Sequence, residues 1–568
     1  MNSPPDVTAD APFGRNDEAA FDRLEDALEL GEDHHLPDER GARRIDNPNG
    51  VRIEPREDLQ GLVCRLSETL EEQLRARLVH EGTVLERQTI GTLAAGDAFA
   101  FRTPLSAGQQ YDVLIDAGAD REYTRGRAEV EYPVEGERLA AVAGVYSRDG
   151  ATSDAYRYNV AAIAPLETPY DPVADADFDR PAATETVDVV ESDAIDHDGD
   201  LAAEIRAYVG TGTEPVEFVL PAGSYDWSSG LALSQPIEYV EIRGDPRASL
   251  EVRSHEPDAA FEFGEWDASA PPQKVVVRNV DVDIADAESR DCGLILANVG
   301  RAVIDNVELV GTRWRHGPDG GDRYTLLVNT WDADAESLVR NVSLPDGAVA
   351  DTEEGAVGHE IGFSADPPHE GRNVWQRCFV AGYVDNGFYT ANSPGENVLE
   401  ECVAANCGNG NVRPGINDAV RDCRIVLDRG SDQRYPGAGL WLNGGRPVAE
   451  RITIAAPDAG NDVVRVNSGA DGGVITDLDV TTGADAPSPT LRCTATSETD
   501  PVGVRIENFV LKDASSVTTT DDGDPVPSVR IARPDVELAD GVIEATHRDP
   551  IGGDRDPDLE NVDVREGQ

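Results

Sequence analysis

The sequence is short of positive charge: 49 Lys+Arg stand against 109 Asp+Glu, for a net charge of −60. Lysine is almost missing, occurring only as Lys274 and Lys512. No Lys/Arg stripe runs along the chain, which excludes nucleic acid as a partner, because phosphate contacts need one. An anionic membrane surface is disfavoured for the same reason. No window approaches the ~18 uninterrupted apolar residues of a membrane helix, so membrane insertion is not expected. The opening segment MNSPPDVTADAPFGRNDEAAFDRLEDALEL lacks the basic and apolar regions of a signal peptide, so general secretory export is not expected either. The 7 cysteines are odd in number and hold no C-x-x-C pair, which argues against a disulfide framework or a zinc site. His359-Glu360 and His369-Glu370 match no metal-binding helix spacing, and neither a metal nor another cofactor is expected.

An acidic excess of this size has two readings, disorder and adaptation to high salt. The 39% of apolar residues, with recurrent Val/Ile/Leu alternation, builds a large core and leaves disorder to the ends. Molar salt shortens the reach of the repulsion to a few ångströms while the charge keeps the surface hydrated. The expectation is therefore a folded protein of a high-salt environment.

Composition divides the chain. Residues 1–55 are polar and acidic, with a helix expected near Asp17 to Leu30, and read as an attachment segment. Residues 56–166 carry short alternating strands such as LQGLVCRLS and YDVLIDA between Gly/Asp turns, the pattern of a β-sandwich. Residues 167–200, rich in Asp and Pro, read as an acidic linker. Residues 201–545 form the largest part, and 546–568 an acidic tail.

That largest part opens with LAAEIRAYVG, a short helix placed to cap the end of a stack. A phrase of apolar and polar positions then returns: VRNVDV, IDNVEL, VRNVSL, WQRCFV, LEECVA, VRDCRI, AERITI and ITDLDV. Constant short strands with elastic spacing are the sequence signature of a β-solenoid rung. The fold class expected is all-β, a right-handed parallel β-helix. The third position of the phrase (Asn279, Asn306, Asn341, Arg377, Glu401, Asp422, Arg451, Asp477) falls at a bend between two strands. Arg377, Glu401, Asp422 and Arg451 there are placed to form an ion-pair ladder. Strands ending in Asn298, Asn392, Asn443 and Asn467 read as further corners, since Asn tolerates the left-handed conformation. Cys378, Cys402 and Cys423 take the same inward position in three successive rungs, as small core fillers.

The segments VEFVLPAGSYDW, DNGFYTANSPGENVLEECVAANCGNGNVR and NDAVRDCRIVLDRGSDQRYPGAGLWLNGG resemble the pectin-lyase-like β-helix superfamily, and within it haloarchaeal β-helix proteins. LSAGQQYDVLIDAGADREYTRGRAEVEYP is similar to modules of tail-fibre-like proteins of haloarchaeal tailed viruses and proviruses. Superfamily members cleave, epimerise or grip acidic polysaccharides, and viral members are commonly trimeric spikes. The resemblance implies a homotrimer that contacts a host-surface glycan or glycoprotein and other virion tail proteins. Neither the paired aspartates with Gly-His-Gly of polygalacturonases nor the calcium-site pattern of pectate lyases occurs.

On a solenoid, carboxylates on neighbouring rungs lie at glycosidase separations, but 109 acidic residues make chance pairs common. Loops rich in aromatics, His and Arg stand out instead, since these groups stack on sugars or pair with uronates. They supply the carbohydrate-binding candidates Trp314, Arg315, His316, Tyr324, Trp331, Trp375, Tyr389, Tyr435 and Trp441. The catalytic candidates are Asp366, Glu370 and Asp385. A sequon at Asn341 falls inside a rung, where burial blocks glycosylation. The leading expectation is a virus tail fibre or spike that binds host-surface carbohydrate, located in the virion. The alternative is a polysaccharide lyase or glycoside hydrolase acting on acidic surface glycans.

Overall fold

The structure is a computed structural model. It describes residues 180–566 apart from short stretches at 255–257, 266–270, 286–290, 316–321, 351–358, 429–436, 471, 497–502 and 521–522. Within the first 179 residues it describes strand segments between 28 and 165. The chain divides into two compact units, Met1–Asp179 and Arg180–Gln568.

The first unit holds two antiparallel sheets, one of 4 strands and one of 7. Alternate residues such as Val51, Ile53, Leu62, Cys64, Leu78 and Val113 are buried, as period-two strands with one inward face require. Asn49–Pro55, within the stretch read as an attachment segment, pairs with both Tyr111–Ala117 and Leu139–Val145. Leu28–Glu29, at the end of the expected helix, pairs as a strand with Val160–Pro165; the rest of that helix lies outside the described residues.

The second unit is a right-handed parallel β-helix. Each coil crosses a 19-stranded parallel sheet and then a 12-stranded one. Val, Ile, Leu and Phe from both sheets fill one continuous core between them. The ladder starts at Glu185–Asp188, inside the stretch read as linker, and runs to Asp563–Glu566, inside the stretch read as tail. The helix Leu201–Val209 lies on the first coil with Leu201, Ala202 and Ile205 buried. Asp200 is its N-cap, accepting from the Ala203 N–H at 3.3 Å. Among the described residues no helix is long and apolar enough to cross a membrane.

All eight bend residues, Asn279 to Asp477, sit at positive φ between 52° and 56°. One left-handed residue turns the chain through the corner while both flanking apolar residues stay inward, and Asn508, Asp540 and Asn561 continue the series. Of the expected ion-pair ladder over Arg377, Glu401, Asp422 and Arg451, the structure shows the pair Arg451–Asp422, 2.6 Å apart. Half-exposed pairs of this kind contribute about 0.5 kcal/mol. The Asn298, Asn392, Asn443 and Asn467 corners differ from expectation, since none takes a positive φ. Asn298 and Asn329 instead bond side chain to side chain across rungs at 2.7 Å, and Asn443 receives the Asn467 amide at 3.4 Å. Cys378, Cys402 and Cys423 are at most 2% exposed, and each thiol donates to a carbonyl of the preceding rung.

Candidate functional site

Strands of the 12-stranded sheet repeat an apolar–X–apolar triplet: Leu440-Trp441-Leu442, Val464-Arg465-Val466, Leu491-Arg492-Cys493 and Val529-Arg530-Ile531. Strand alternation drives the flanking residues into the core, where each is fully buried, and turns the middle residue outward. Parallel register then aligns the middle residues. Tyr389 pairs with Arg413, Trp441 with Arg465, Arg465 with Arg492 and Arg492 with Arg530. Val412 faces Leu440, so Arg413 meets Trp441 one step on. The result is an outward row along the solenoid: Tyr389, Arg413, Trp441, Arg465, Arg492, Arg530.

The row is stacked. The Arg413 guanidinium lies 4.0 Å from the Trp441 ring centre and 4.9 Å from that of Tyr389. Arg465 approaches Trp441 to 4.6 Å from the strand on its other side, so both indole faces are covered by cations. Asn443 accepts from Nε and Nη2 of Arg413 at 3.1 and 3.0 Å. Burial pushes the Arg413 guanidinium below its ordinary value, and Arg465 adds like-charge repulsion. Asp462, fully buried, holds Arg465 at 2.7 Å and Arg492 at 3.1 Å. Among the described residues no carboxylate pairs with Arg413 or Arg530.

The sequence candidates scatter around this row. Tyr389 and Trp441 belong to it. Tyr324, half-buried, packs in a small outer cluster with Ile361, Tyr389 and Ala391. Trp375 is a correction: its ring is fully buried, set edge-on against Phe363 in the core, and its indole N–H reaches the Asn397 side chain at 3.3 Å. An inward strand position leaves no ring for a glycan. Trp331 is half-buried at the turn after Asp322–Thr330. Trp314 and Arg315 lie on a two-stranded sheet made by Arg313–Arg315 and Ala348–Ala350, with side chains outside the described residues. His316 and Tyr435 also lie outside them.

The three carboxylate candidates are not brought together. Asp385 enters its strand opposite Glu360, accepting from Asn386 and Asn409 at 2.9 and 2.8 Å. Asp366 follows the far end of the neighbouring strand His359–Ser364, its N–H bonded to Asn329. Six residues of rise put the two on the order of 15 Å or more apart. Glu370 is exposed at the turn beyond. His369 is fully buried, accepting from the Thr330 N–H at 3.1 Å and donating to the Glu396 carbonyl at 3.3 Å. Burial lowers its pKa, as for a neutral structural imidazole. No group of three metal-ligating side chains occurs among the described residues.

Reasoning from sequence missed Arg413, Arg465, Arg492, Arg530 and Asp462. The recurring apolar–Arg–apolar triplet was the available signal.

No protein-family profile and no curated protein matches the chain. Comparison with solved structures finds remote likenesses. The surface adhesin PfbA of Streptococcus pneumoniae is 11% identical, with a TM-score of 0.38, over 67% of this chain and 92% of its own. The catalytic domain of a GH87 α-1,3-glucanase in complex with tetrasaccharides is 10% identical, with a TM-score of 0.38, over 89% and 90%. The family 28 exopolygalacturonase of Yersinia enterocolitica is 11% identical, with a TM-score of 0.25, over 92% and 100%. Likenesses this remote carry no argument about this chain.

Proposed function

We propose that this chain is a carbohydrate-binding β-solenoid that grips a glycan on the outer face of its 12-stranded sheet. The observation that carries this is the aligned Tyr–Arg–Trp–Arg–Arg–Arg row, its first four members stacked, on a chain whose net charge is −60. Such a row has a cost, because cations one rung apart repel, and no core requirement places them on the outward side. Guanidinium groups set against aromatic rings, with Nε and Nη2 tied to the protein, keep Nη1 to meet a carboxylate or sulfate. The test is affinity electrophoresis of the intact chain through gels containing acidic polysaccharides. Retardation is expected, and Arg413→Ala with Trp441→Ala abolishes it; unretarded migration in every glycan overturns the reading.

Binding is favoured over cleavage because Asp385 and Asp462, the described carboxylates seen acting on the row, are buried and already bonded. A glycosidase needs two carboxyl groups that its substrate can reach. New reducing ends or unsaturated uronates after incubation with an acidic polysaccharide would replace the binding reading by a glycosidase or lyase. The finer setting, a homotrimeric tail fibre or spike of a haloarchaeal virus docking a host-surface glycan, is supported by the sequence resemblance and the acidic composition. Mass measurement in molar salt and immunodetection in purified virions test it: a monomer absent from particles overturns it.

A further inference from the structure

The row holds four guanidinium groups, and among the described residues its one directly paired carboxylate, Asp462, is shared by Arg465 and Arg492. Positive charge is therefore left over at a defined place on an otherwise strongly negative molecule. Successive rungs lie about 4.8 Å apart, so the four steps from Arg413 to Arg530 extend about 19 Å along the axis. One small anion spans two rungs at most. Only a ligand that repeats its negative charge meets the whole row.

Each stacked arginine also keeps a donor. Asn443 occupies Nε and Nη2 of Arg413, and Asn461 with Asp462 occupies Nε and Nη2 of Arg465. The Nη1 of each has no acceptor among the described residues, and Arg530 has no hydrogen-bond partner there at all. Asp462 also fixes the geometry from below. It is fully buried, whereas the side chains it holds are 18% and 32% exposed, so it positions two donors without closing the surface.

We propose that this row binds a linear polyanionic glycan lengthwise, parallel to the solenoid axis, with charged units presented to successive rungs from Arg465 to Arg530 and a further one at Arg413. The inference rests on the carbohydrate-binding reading and specifies its ligand. Single-stranded nucleic acid repeats its charge too, but its binding relies on bases stacking on open aromatic faces. Both faces of Trp441 are covered, by Arg413 and Arg465. The surrounding negative charge also repels a long phosphate chain beyond the row.

The experiment measures affinities of the intact chain at fixed salt for oligogalacturonides of increasing length, their methyl esters, neutral dextran and a thymidine oligonucleotide of equal charge. Affinity is expected to rise with oligogalacturonide length and level off once about four rungs are spanned. Arg530→Gln, which breaks no internal bond, and Arg492→Gln are each expected to weaken binding about tenfold, with unchanged circular dichroism. Methyl esters or dextran binding as tightly as the acid overturns the polyanion assignment but leaves carbohydrate binding standing. Length-independent affinity indicates a single-anion pocket and overturns the lengthwise mode. An oligonucleotide bound as tightly overturns the glycan assignment, and no binding to any glycan overturns both proposals.

Discussion

Asp462 is fully buried between Arg465 and Arg492, with its two carboxylate oxygens 2.7 and 3.1 Å from their guanidinium groups. It is the anchor of the outward row. Removing its charge leaves two cations facing each other across one rung, each still partly hydrated. Asp462→Asn is expected to destabilise the solenoid by about 2 kcal/mol, less than for a wholly buried triad because water screens the arginines. Chemical denaturation checks it. An unchanged midpoint would show that the carboxylate holds nothing.

Asp418 is the opposite case, a buried acid with no cation paired to it among the described residues. It accepts from Thr390 Oγ1 and the Gly415 N–H at 2.6 Å, and from the Asn397 N–H and amide at 2.9 and 3.1 Å. Burial outweighs these four bonds and pushes its carboxyl up to about 6. The folded state then holds the proton more tightly than the unfolded chain between about pH 4 and pH 6. Its contribution to stability is largest at the acid end of that window and is lost as pH rises through 6. Asp418→Asn turns an amide N–H₂ toward one pair of donors and is expected to cost about 2 kcal/mol at pH 5, with a smaller deficit at pH 7. Unfolding free energies of both proteins across that range test the sign. A deficit that grows with pH contradicts it.

All 7 cysteines are buried and none forms a disulfide, and burial pushes the Cys402 and Cys423 thiols well above their usual values. Few thiolates form, and no reagent reaches them. The native chain is expected to resist a thiol-titrating reagent over hours and to expose all seven groups in denaturant. Rapid labelling of the native chain would place a cysteine at the surface.

Glu401 turns its corner at φ 53°, a conformation that costs a side chain with a Cβ about 1 kcal/mol. Asparagine fills the same corner at Asn279, Asn306 and Asn341. Glu401→Asn is expected to raise stability by about 0.5 to 1 kcal/mol, and Glu401→Val to lower it by more. Thermal midpoints of the two variants decide, and the reverse order would mean that Glu401 stabilises the corner in another way.

Much of the solenoid was legible in the residues themselves. A corner that admits one left-handed residue between two inward apolar ones imposes a fixed local phrase, and a local phrase is visible in sequence wherever it recurs. The same phrase places Cys378, Cys402 and Cys423 inside. It also places Trp375 inside, two positions before the bend at Arg377, a consequence obscured by the aromatic character of the surrounding loop.

The site followed a different rule. Arg413, Trp441, Arg465, Arg492 and Arg530 stand 24 to 38 residues apart at irregular intervals set by loop length. No periodicity joins them, and the aromatic-rich loops drew attention elsewhere. Sequence by itself determined the coil, its inward and outward alternation and the acidic background, because these depend on neighbours along the chain. Only the tertiary structure decided which outward residues share a row, because inter-strand hydrogen bonds fix register whatever the length of the loop between rungs.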